Sequence, residues 1–128
     1  MKTDQRPLSP FMIGPYYKPQ MTSIMSITHR ATGVFLSVIG APLFLWWIIA
    51  TAGGAESFAV FERFAASLPG KAVLAVSVLC LFYHLLNGIR HLVWDTGRAL
   101  EIRSAYTAGW MVLIATAVLG AAVLGVTL

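Results

Sequence analysis

The sequence predicts an all-α membrane protein with three transmembrane helices and a cytoplasmic N-terminus. Of its 128 residues, 58% are hydrophobic and only 11% are charged, whereas a soluble domain carries about 25% charged residues. Three runs without Lys, Arg, Asp or Glu cover residues 31–55, 72–89 and 104–128. Each run is long enough to cross a bilayer, which takes about 17–25 residues of helix. Lipid is therefore the expected solvent for most of the chain.

The three runs are expected to be helical, since a backbone in lipid must satisfy its hydrogen bonds internally. We expect helices at about residues 24–52, 70–97 and 104–127 of a single anchor domain, with a bend at Pro42. One face of the third helix carries three small residues, Ala117, Ala121 and Gly125. This stripe either packs against a neighbouring helix or reflects the general frequency of small residues in membrane helices.

The distribution of basic residues predicts the orientation of the chain. Seven of the nine Lys and Arg residues lie in the N-terminal segment and the second loop, which are therefore expected on the cytoplasmic side, with the first loop outside. Apolar residues at helical spacing in that first loop predict a short helix in the outer interface, ending at Pro69 and Gly70. They are Phe58, Phe61, Phe64, Ala65 and Leu68. Residues 1–21 hold four prolines and are expected to form an extended cytoplasmic arm.

The charge and cysteine content narrow the choice of partners and environment. The net charge of +4 does not indicate a nucleic-acid partner, because the basic residues are scattered between apolar runs and form no patch or stripe. The single cysteine, Cys80, excludes an internal disulfide.

Polar residues interrupt the second apolar run in the segment "FYHLLNGIRHLVWD", residues 82–95. His84 is expected roughly 5 Å to the cytoplasmic side of the midpoint of that run. An ionisable residue at this depth indicates function; the alternative is a histidine that is hydrogen-bonded to a neighbouring helix. His84 shares its helix face with Gly88, His91 and Asp95. Gly88 would admit either a flat, bulky group or a closely packed helix.

Haem suits His84 better than the other ligands that bind imidazole. Zinc takes four ligands, which this apolar region does not supply, and a proton relay would need further titratable partners in the membrane. Haem takes one axial imidazole per face, an apolar slot and cations for its propionates, for which Arg30 and Arg90 are candidates. His84 and His91 are expected about 10.5 Å apart along one helix face, so they cannot ligate the same iron. A second histidine ligand would then come from another chain.

A second polar cluster, "SIMSITHRATG" at residues 23–33, lies at the start of the first helix. Ser26, His29 and Arg30 share one face by their spacing. Hydroxyl, imidazole and guanidinium groups at the lipid–water boundary suit the carbonyls of a quinone head group. The alternative is ordinary interfacial anchoring by Arg30, with a serine near the start of the helix.

Three motifs carry a resemblance to a known family. They are "RPLSP" at 6–10, "SITHRATG" at 26–33 and "HLLNGIRHLVWD" at 84–95. With the three spanning helices and the length, they make the chain resemble the cytochrome b membrane-anchor subunit of succinate dehydrogenase (succinate–quinone oxidoreductase, complex II). The chain departs from the pattern at Phe11, where many members of that family have histidine.

The resemblance implies a haem b with His84 as its axial ligand and with His29 and Arg30 near its propionates. It also implies a ubiquinone pocket lined by Ser26 and Arg30. The implied partners are a second small membrane-anchor subunit that supplies the other haem ligand, and iron–sulfur and flavoprotein subunits on the cytoplasmic face. The expected location is a bacterial inner membrane rather than a mitochondrial one.

Three other readings of the residues stay open. Separately from the resemblance, His91 and Asp95 are candidates for passing protons to the reduced quinone, with ordinary solvation at the interface as the alternative. The chain could also be a cofactor-free structural anchor, or the equivalent subunit of a fumarate reductase. A small transporter is disfavoured, since the spanning runs hold no acidic residues.

Overall fold

The computed structural model describes residues 18–127, and the regular structure in that range is entirely helical. There are four helices: α1 (Met21–Ala52), α2 (Ala55–Ala66), α3 (Leu68–Asp95) and α4 (Ile102–Thr127). Helices α1, α3 and α4 are long and apolar enough to cross a membrane. The predicted all-α architecture with three membrane-spanning helices is thus confirmed. Most of the expected N-terminal arm, including Phe11, lies outside the described residues, and α1 begins at Met21.

Helix α1 changes its hydrogen-bonding pattern in the middle. Residues Leu36–Gly40 form a widened, π-type segment, and Pro42 lies in the turn that follows. Proline has no N–H to donate, and its ring crowds the carbonyl group of the preceding turn. A local widening relieves this conflict without ending the helix. At the position where the sequence predicts a bend, the helix therefore holds a widened turn.

The short helix α2 packs its aromatic face on the end of α1. The indole ring of Trp46 lies 5.1 Å from each of the Phe61 and Phe64 rings, measured between centroids, and Phe61 is buried. The expected end of this helix at Pro69 and Gly70 was wrong, because Pro69 belongs to the first turn of α3. A backbone N–H in that turn has no acceptor within the helix, so proline removes no helical hydrogen bond there. Ser67 caps α3 by accepting a hydrogen bond from the Gly70 N–H at 3.2 Å.

Helix α3 is central and contacts both α1 and α4. The Tyr83 hydroxyl donates to the Met25 carbonyl oxygen of α1 at 2.8 Å, within a buried cluster that includes Val112 of α4. Gly109 lets α4 approach α1, since a Cβ atom there would lie 2.8 Å from Cε of Met21. The chain thus forms one three-helix bundle with its core near this level.

The contacting face of α4 differs from the stripe that the sequence suggested. Its buried residues are Ala105, Gly109, Val112 and Gly120, whereas Ala117, Ala121 and Gly125 are exposed. A Cβ atom at Gly125 would meet nothing within 4 Å. The stripe therefore does not pack against α1 or α3. Spacing identified a small-residue face but not the face that the neighbouring helices use.

Most of the apolar surface of the bundle faces outward. In the most apolar stretch of each membrane helix only 6%, 11% and 17% of the residues are buried. Exposed apolar surface of this extent is unusual for a soluble monomer. It suits coverage by lipid or by other membrane helices.

Candidate functional site

The polar site is built around three imidazole rings, His29, His84 and His91, which we call the histidine cluster. The His29 ring of α1 stacks on His84 of α3, with centroids 4.0 Å apart and planes 8° apart. It also stacks on His91, at 5.2 Å and 21°. His84 and His91 are seven residues apart, so they lie on one face of α3. The structure therefore brings together three of the six residues that the sequence singled out.

Gly88 lies beside this stacking. It lies between His84 and His91 on the same face of α3, and a Cβ atom there would come 3.7 Å from Cε1 of His29. The imidazole of α1 thus occupies the space beside Gly88.

The hydrogen bonds of His84 define which ring nitrogen carries its proton. Nδ1 lies 3.1 Å from the His29 carbonyl oxygen and 3.2 Å from Oγ1 of Thr32. A carbonyl oxygen only accepts hydrogen bonds, so we assign the proton of the neutral ring to Nδ1. Nε2 is then left with a free lone pair. A histidine that binds a metal characteristically has this arrangement, with its other ring nitrogen donating to a carbonyl group or a carboxylate.

Gly33 fixes the position of the His84 ring against the backbone of α1. A Cβ atom at Gly33 would lie only 2.9 Å from Cε1 of His84 and 3.8 Å from Nε2, so the ring rests directly on the helix backbone. Packing on Gly33, stacking on His29 and the Nδ1 hydrogen bonds together restrain the imidazole from several directions. Such restraint is what a ligand with a defined direction requires.

The stacked rings of His29 and His84 are not arranged to bind one metal ion from two sides. Two axial nitrogens face each other across the metal, about 4 Å apart if each bond is about 2 Å as in other metal–imidazole sites. His29 and His84 are instead stacked face to face, an arrangement that does not point both rings at one metal between them. Within residues 18–127, no group of three or more His, Cys, Asp or Glu side chains is placed to hold a metal ion.

His91 and Asp95 lie at the end of α3, beyond the other histidines. Nδ1 of His91 is 2.8 Å from the Asn87 carbonyl oxygen, so by the same reasoning its Nε2 can accept a proton or a hydrogen bond. The His91 ring also meets the edge of Trp94 at 5.2 Å. Asp95 is exposed. These two residues are close in sequence at the helix end, but no bond joins their side chains in the described part of the chain.

Arg90 lies on a different side of α3 and ties it to α4. The guanidinium donates to the Ala105 carbonyl oxygen at 2.9 Å and to Oδ1 of Asn87 at 3.3 Å. It also lies 4.1 Å from the centre of the Trp94 ring, and the residue is only 5% exposed. The guanidinium is thus committed to helix packing, which leaves Arg30 as the better placed of the two arginines proposed for haem propionates.

Ser26 and Arg30 lie on α1 beside His29 but contact neither of the other histidines. Ser26 is partly buried and Arg30 is exposed, and Ser26 lies three and four residues before His29 and Arg30, on the same side of α1. The structure records no hydrogen bond from either side chain to another residue within 18–127. Within that range, no hydrogen bond to another residue therefore occupies the donors of these two side chains.

An apolar groove continues along the His84 face of the bundle. Its volume is about 690 Å³, within the roughly 300–1,000 Å³ typical of small-molecule sites. Leu36 lies one helical turn beyond Gly33, and Leu81 one turn before His84, and both line the groove. The other lining residues are almost all apolar, among them Gly40, Phe44, Trp47 and Val78. A flat hydrophobic molecule held at His84 would find an apolar surface there.

Two residues of the site were not identified from the sequence. Thr32 and Gly33 both lie inside the motif that also holds His29, but their roles depend on which part of α3 faces them. The spacing of Thr32, three residues after His29, does indicate a hydroxyl close to the His29 carbonyl group, and that bond is present at 2.9 Å. Its second partner, His84, is 52 residues away and has no local signal.

Comparison with known proteins identifies the family to which the chain is similar. Residues 2–123 match the protein family described as the succinate dehydrogenase/fumarate reductase transmembrane subunit. The chain is 35% identical to the succinate dehydrogenase cytochrome b556 subunit of Rickettsia typhi over 91% of its length and 88% of the relative. It is 37% identical to the cytochrome b556 subunit of Paracoccus denitrificans, with 89% and 85% covered. A cytochrome b560 subunit of succinate dehydrogenase from Marchantia polymorpha is 36% identical, with 89% and 85% covered.

Proposed function

The chain belongs to the family of succinate dehydrogenase/fumarate reductase transmembrane subunits, and on this basis we propose that it is the haem b-binding membrane anchor of a succinate:quinone oxidoreductase. It is a subunit of an enzyme rather than a complete enzyme. We propose that it holds the flavoprotein and iron–sulfur subunits at the membrane and helps to form the site where ubiquinone is reduced. The observation that carries this proposal is the hydrogen bonding of His84 through Nδ1, which leaves Nε2 as the free ring nitrogen.

His84 is the proposed axial ligand of haem b. Its Nδ1–H is bonded to α1, its ring is restrained by His29 and Gly33, and its Nε2 lone pair is the remaining donor. The adjacent groove is apolar and large enough for a macrocycle edge. When bound, the haem would supply a one-electron carrier inside the membrane. Since His29 and His84 are not arranged to bind one metal ion from two sides, the second ligand is proposed to come from another small membrane subunit.

His29 and Arg30 are proposed to hold the haem propionates. Arg30 is an exposed cation immediately after His29, and Nδ1 of His29 is buried without a hydrogen-bond partner among the described residues. Propionate oxygens accept hydrogen bonds, and they pair best with cations. The two side chains together provide a donor and a positive charge on the same side of the bundle.

Ser26 and Arg30 are proposed to bind the ubiquinone head group. A quinone carbonyl gains negative charge as electrons arrive, so a fixed cation and a hydroxyl donor stabilise the reduced form more than the oxidised one. The Nε2 atom of His91 and the exposed carboxylate of Asp95 are proposed to deliver protons to the same region. This role uses their position at the end of α3, next to solvent.

The proposed location is a bacterial inner membrane, with the N-terminus and the α3–α4 loop in the cytoplasm. The excess of lysine and arginine on that side supports this orientation. Helix α2 would then lie at the outer interface, and its apolar face on α1 suits that position. The fumarate reductase alternative shares the family description, but the relatives compared above are all named as succinate dehydrogenase subunits.

The test is the visible spectrum of the purified complex, with its partner subunits, for wild type, His84→Leu and His91→Leu. We expect a low-spin spectrum with two histidine ligands in the wild type and in His91→Leu, and its loss or strong alteration in His84→Leu. The His91 variant is the matched control, because it makes the same substitution two turns away on the same face. A wild-type complex without haem would favour the cofactor-free anchor. An unaltered spectrum in His84→Leu would remove His84 as the ligand.

A further inference from the structure

We propose that Thr32 is a positioning residue for the haem ligand. Its hydroxyl oxygen accepts a hydrogen bond from Nδ1–H of His84 and thereby fixes the ring's tautomer, holds its orientation and lowers the reduction potential of the haem. This inference rests on the proposed function of His84 and adds to it a residue that touches neither haem nor quinone.

The donors and acceptors around Thr32 allow only one consistent assignment. The Thr32 hydroxyl lies 2.9 Å from the His29 carbonyl oxygen and must donate there, because a carbonyl only accepts. Its single proton is then used, so Oγ1 faces His84 as an acceptor at 3.2 Å. Nδ1 of His84 must therefore be the donor. The same nitrogen also lies 3.1 Å from the His29 carbonyl oxygen, so the N–H is shared between these two acceptor oxygens.

The hydroxyl is the less committed of the two acceptors. The carbonyl oxygen of His29 has two lone pairs and is already an acceptor for the Thr32 hydroxyl. As a carbonyl inside α1 it also accepts the backbone N–H four residues later, that of Gly33. The Nδ1–H of His84 is therefore a third donor that competes for the His29 carbonyl oxygen. Oγ1 of Thr32 has no such competition among the described residues, so it supplies much of the interaction that orients the His84 ring.

This hydrogen bond predicts the sign of a measurable change. A hydrogen-bond acceptor at Nδ1, the ring nitrogen that does not bind the metal, raises the basicity of a ligating imidazole. A more basic ligand stabilises the more highly charged ferric iron. Removing that acceptor should weaken ferric binding more than ferrous binding and raise the reduction potential. Loss of an outer-sphere partner typically lowers metal affinity about 10–100-fold. Each factor of ten confined to the ferric state raises the potential by about 59 mV.

The experiment is a potentiometric titration of the haem in the purified complex, followed by its visible spectrum. Thr32→Val removes the hydroxyl at nearly constant shape, and Thr32→Ser keeps it. Thr51→Val is the matched control, since the Thr51 hydroxyl also bonds a carbonyl of its own helix, that of Trp47 at 2.7 Å, but far from His84. We expect a higher potential in Thr32→Val only, with Thr32→Ser and Thr51→Val close to wild type.

Two results would overturn the role of Thr32. One is an unchanged potential in Thr32→Val with haem bound; the other is an equal shift in Thr32→Ser, which keeps the hydroxyl and would assign the effect to disturbed packing at this position. If the Thr32→Val complex does not assemble, Thr32→Ala is measured in addition. Loss of haem from both variants that lack the hydroxyl, with retention of haem in Thr32→Ser, supports the proposal. Failure of Thr32→Ser to assemble as well contradicts it. A wild-type complex without haem would instead refute the proposed function.

Discussion

Gly33→Ala tests how closely the haem ligand is held against α1. The added methyl carbon would lie 2.9 Å from Cε1 of His84, whereas carbon atoms pack best at about 3.5–4.0 Å. The ring must therefore move by about 0.6 Å or more, or the helices must separate. Overpacking of this kind typically costs about 1–3 kcal/mol. Alanine recovers up to about 1 kcal/mol through its higher helix propensity. We expect a net destabilisation and a displaced His84.

The matched control is Gly88→Ala, on the opposite side of the same contact. Its methyl carbon would lie 3.7 Å from Cε1 of His29, which is ordinary contact distance, so it should gain the helix propensity without the clash. The assay is haem content per complex and the temperature of thermal unfolding, measured for both variants. Gly33→Ala should lose haem or stability, and Gly88→Ala should keep both. Equal behaviour of the two variants would show that the ring is free to move, contrary to this reasoning.

Three further substitutions test other parts of the arrangement. Arg30→Ala should lose about 10²–10³ in succinate–quinone activity but keep succinate oxidation with an artificial acceptor, with Arg63→Ala as the control; equal loss of both activities would indicate misassembly. Lysine at position 30 should restore only part of the activity, since it lacks the planar fork. Tyr83→Phe removes the bond to the Met25 carbonyl and should lower the free energy of unfolding by about 0.5–1.5 kcal/mol without changing the haem spectrum; an altered spectrum would place Tyr83 closer to the haem. Gly109→Ala brings its methyl group within 2.8 Å of Cε of Met21 and 2.9 Å of Sδ of Met25. Both contacts are with flexible methionine side chains that can adjust, so its unfolding temperature should fall less than that of Gly33→Ala; the reverse order would be evidence against a rigid His84 contact.

The three membrane helices could be predicted because hydropathy is a local property of each run. Pairing between helices depends on their register, which no single run contains. His84 was identified by its depth, but its bond to Thr32 was not, because the two residues are 52 positions apart. The packing face of α4 was left open for the same reason. Spacing defines which small residues share a face, whereas the positions of α1 and α3 decide which face is used.

Pro69 shows a different limit. Proline ends one helix as readily as it begins the next, so its presence alone could not say where α2 stops. The capping bond from the Gly70 N–H to Ser67 decides that the segment belongs to α3. Serine is favoured at helix N-caps, so the residue type at position 67 is itself a signal for a helix that begins at Leu68.

The contrast between Arg30 and Arg90 explains why charge near the membrane edge does not by itself locate a ligand. Both were candidates on depth, yet Arg90 is buried against the Trp94 ring of its own helix, and its guanidinium donates to the Ala105 carbonyl oxygen of α4. If the Arg90 guanidinium turned to bind propionates, the Ala105 and Asn87 oxygens would lose their donor, and the hydrogen bond between α3 and α4 would be broken. Arg30 is exposed on α1 beside His29, and its use by a ligand disturbs no described interaction. The commitment of a side chain to packing, rather than its depth, therefore decides which arginine is available to an anionic group at the histidine cluster.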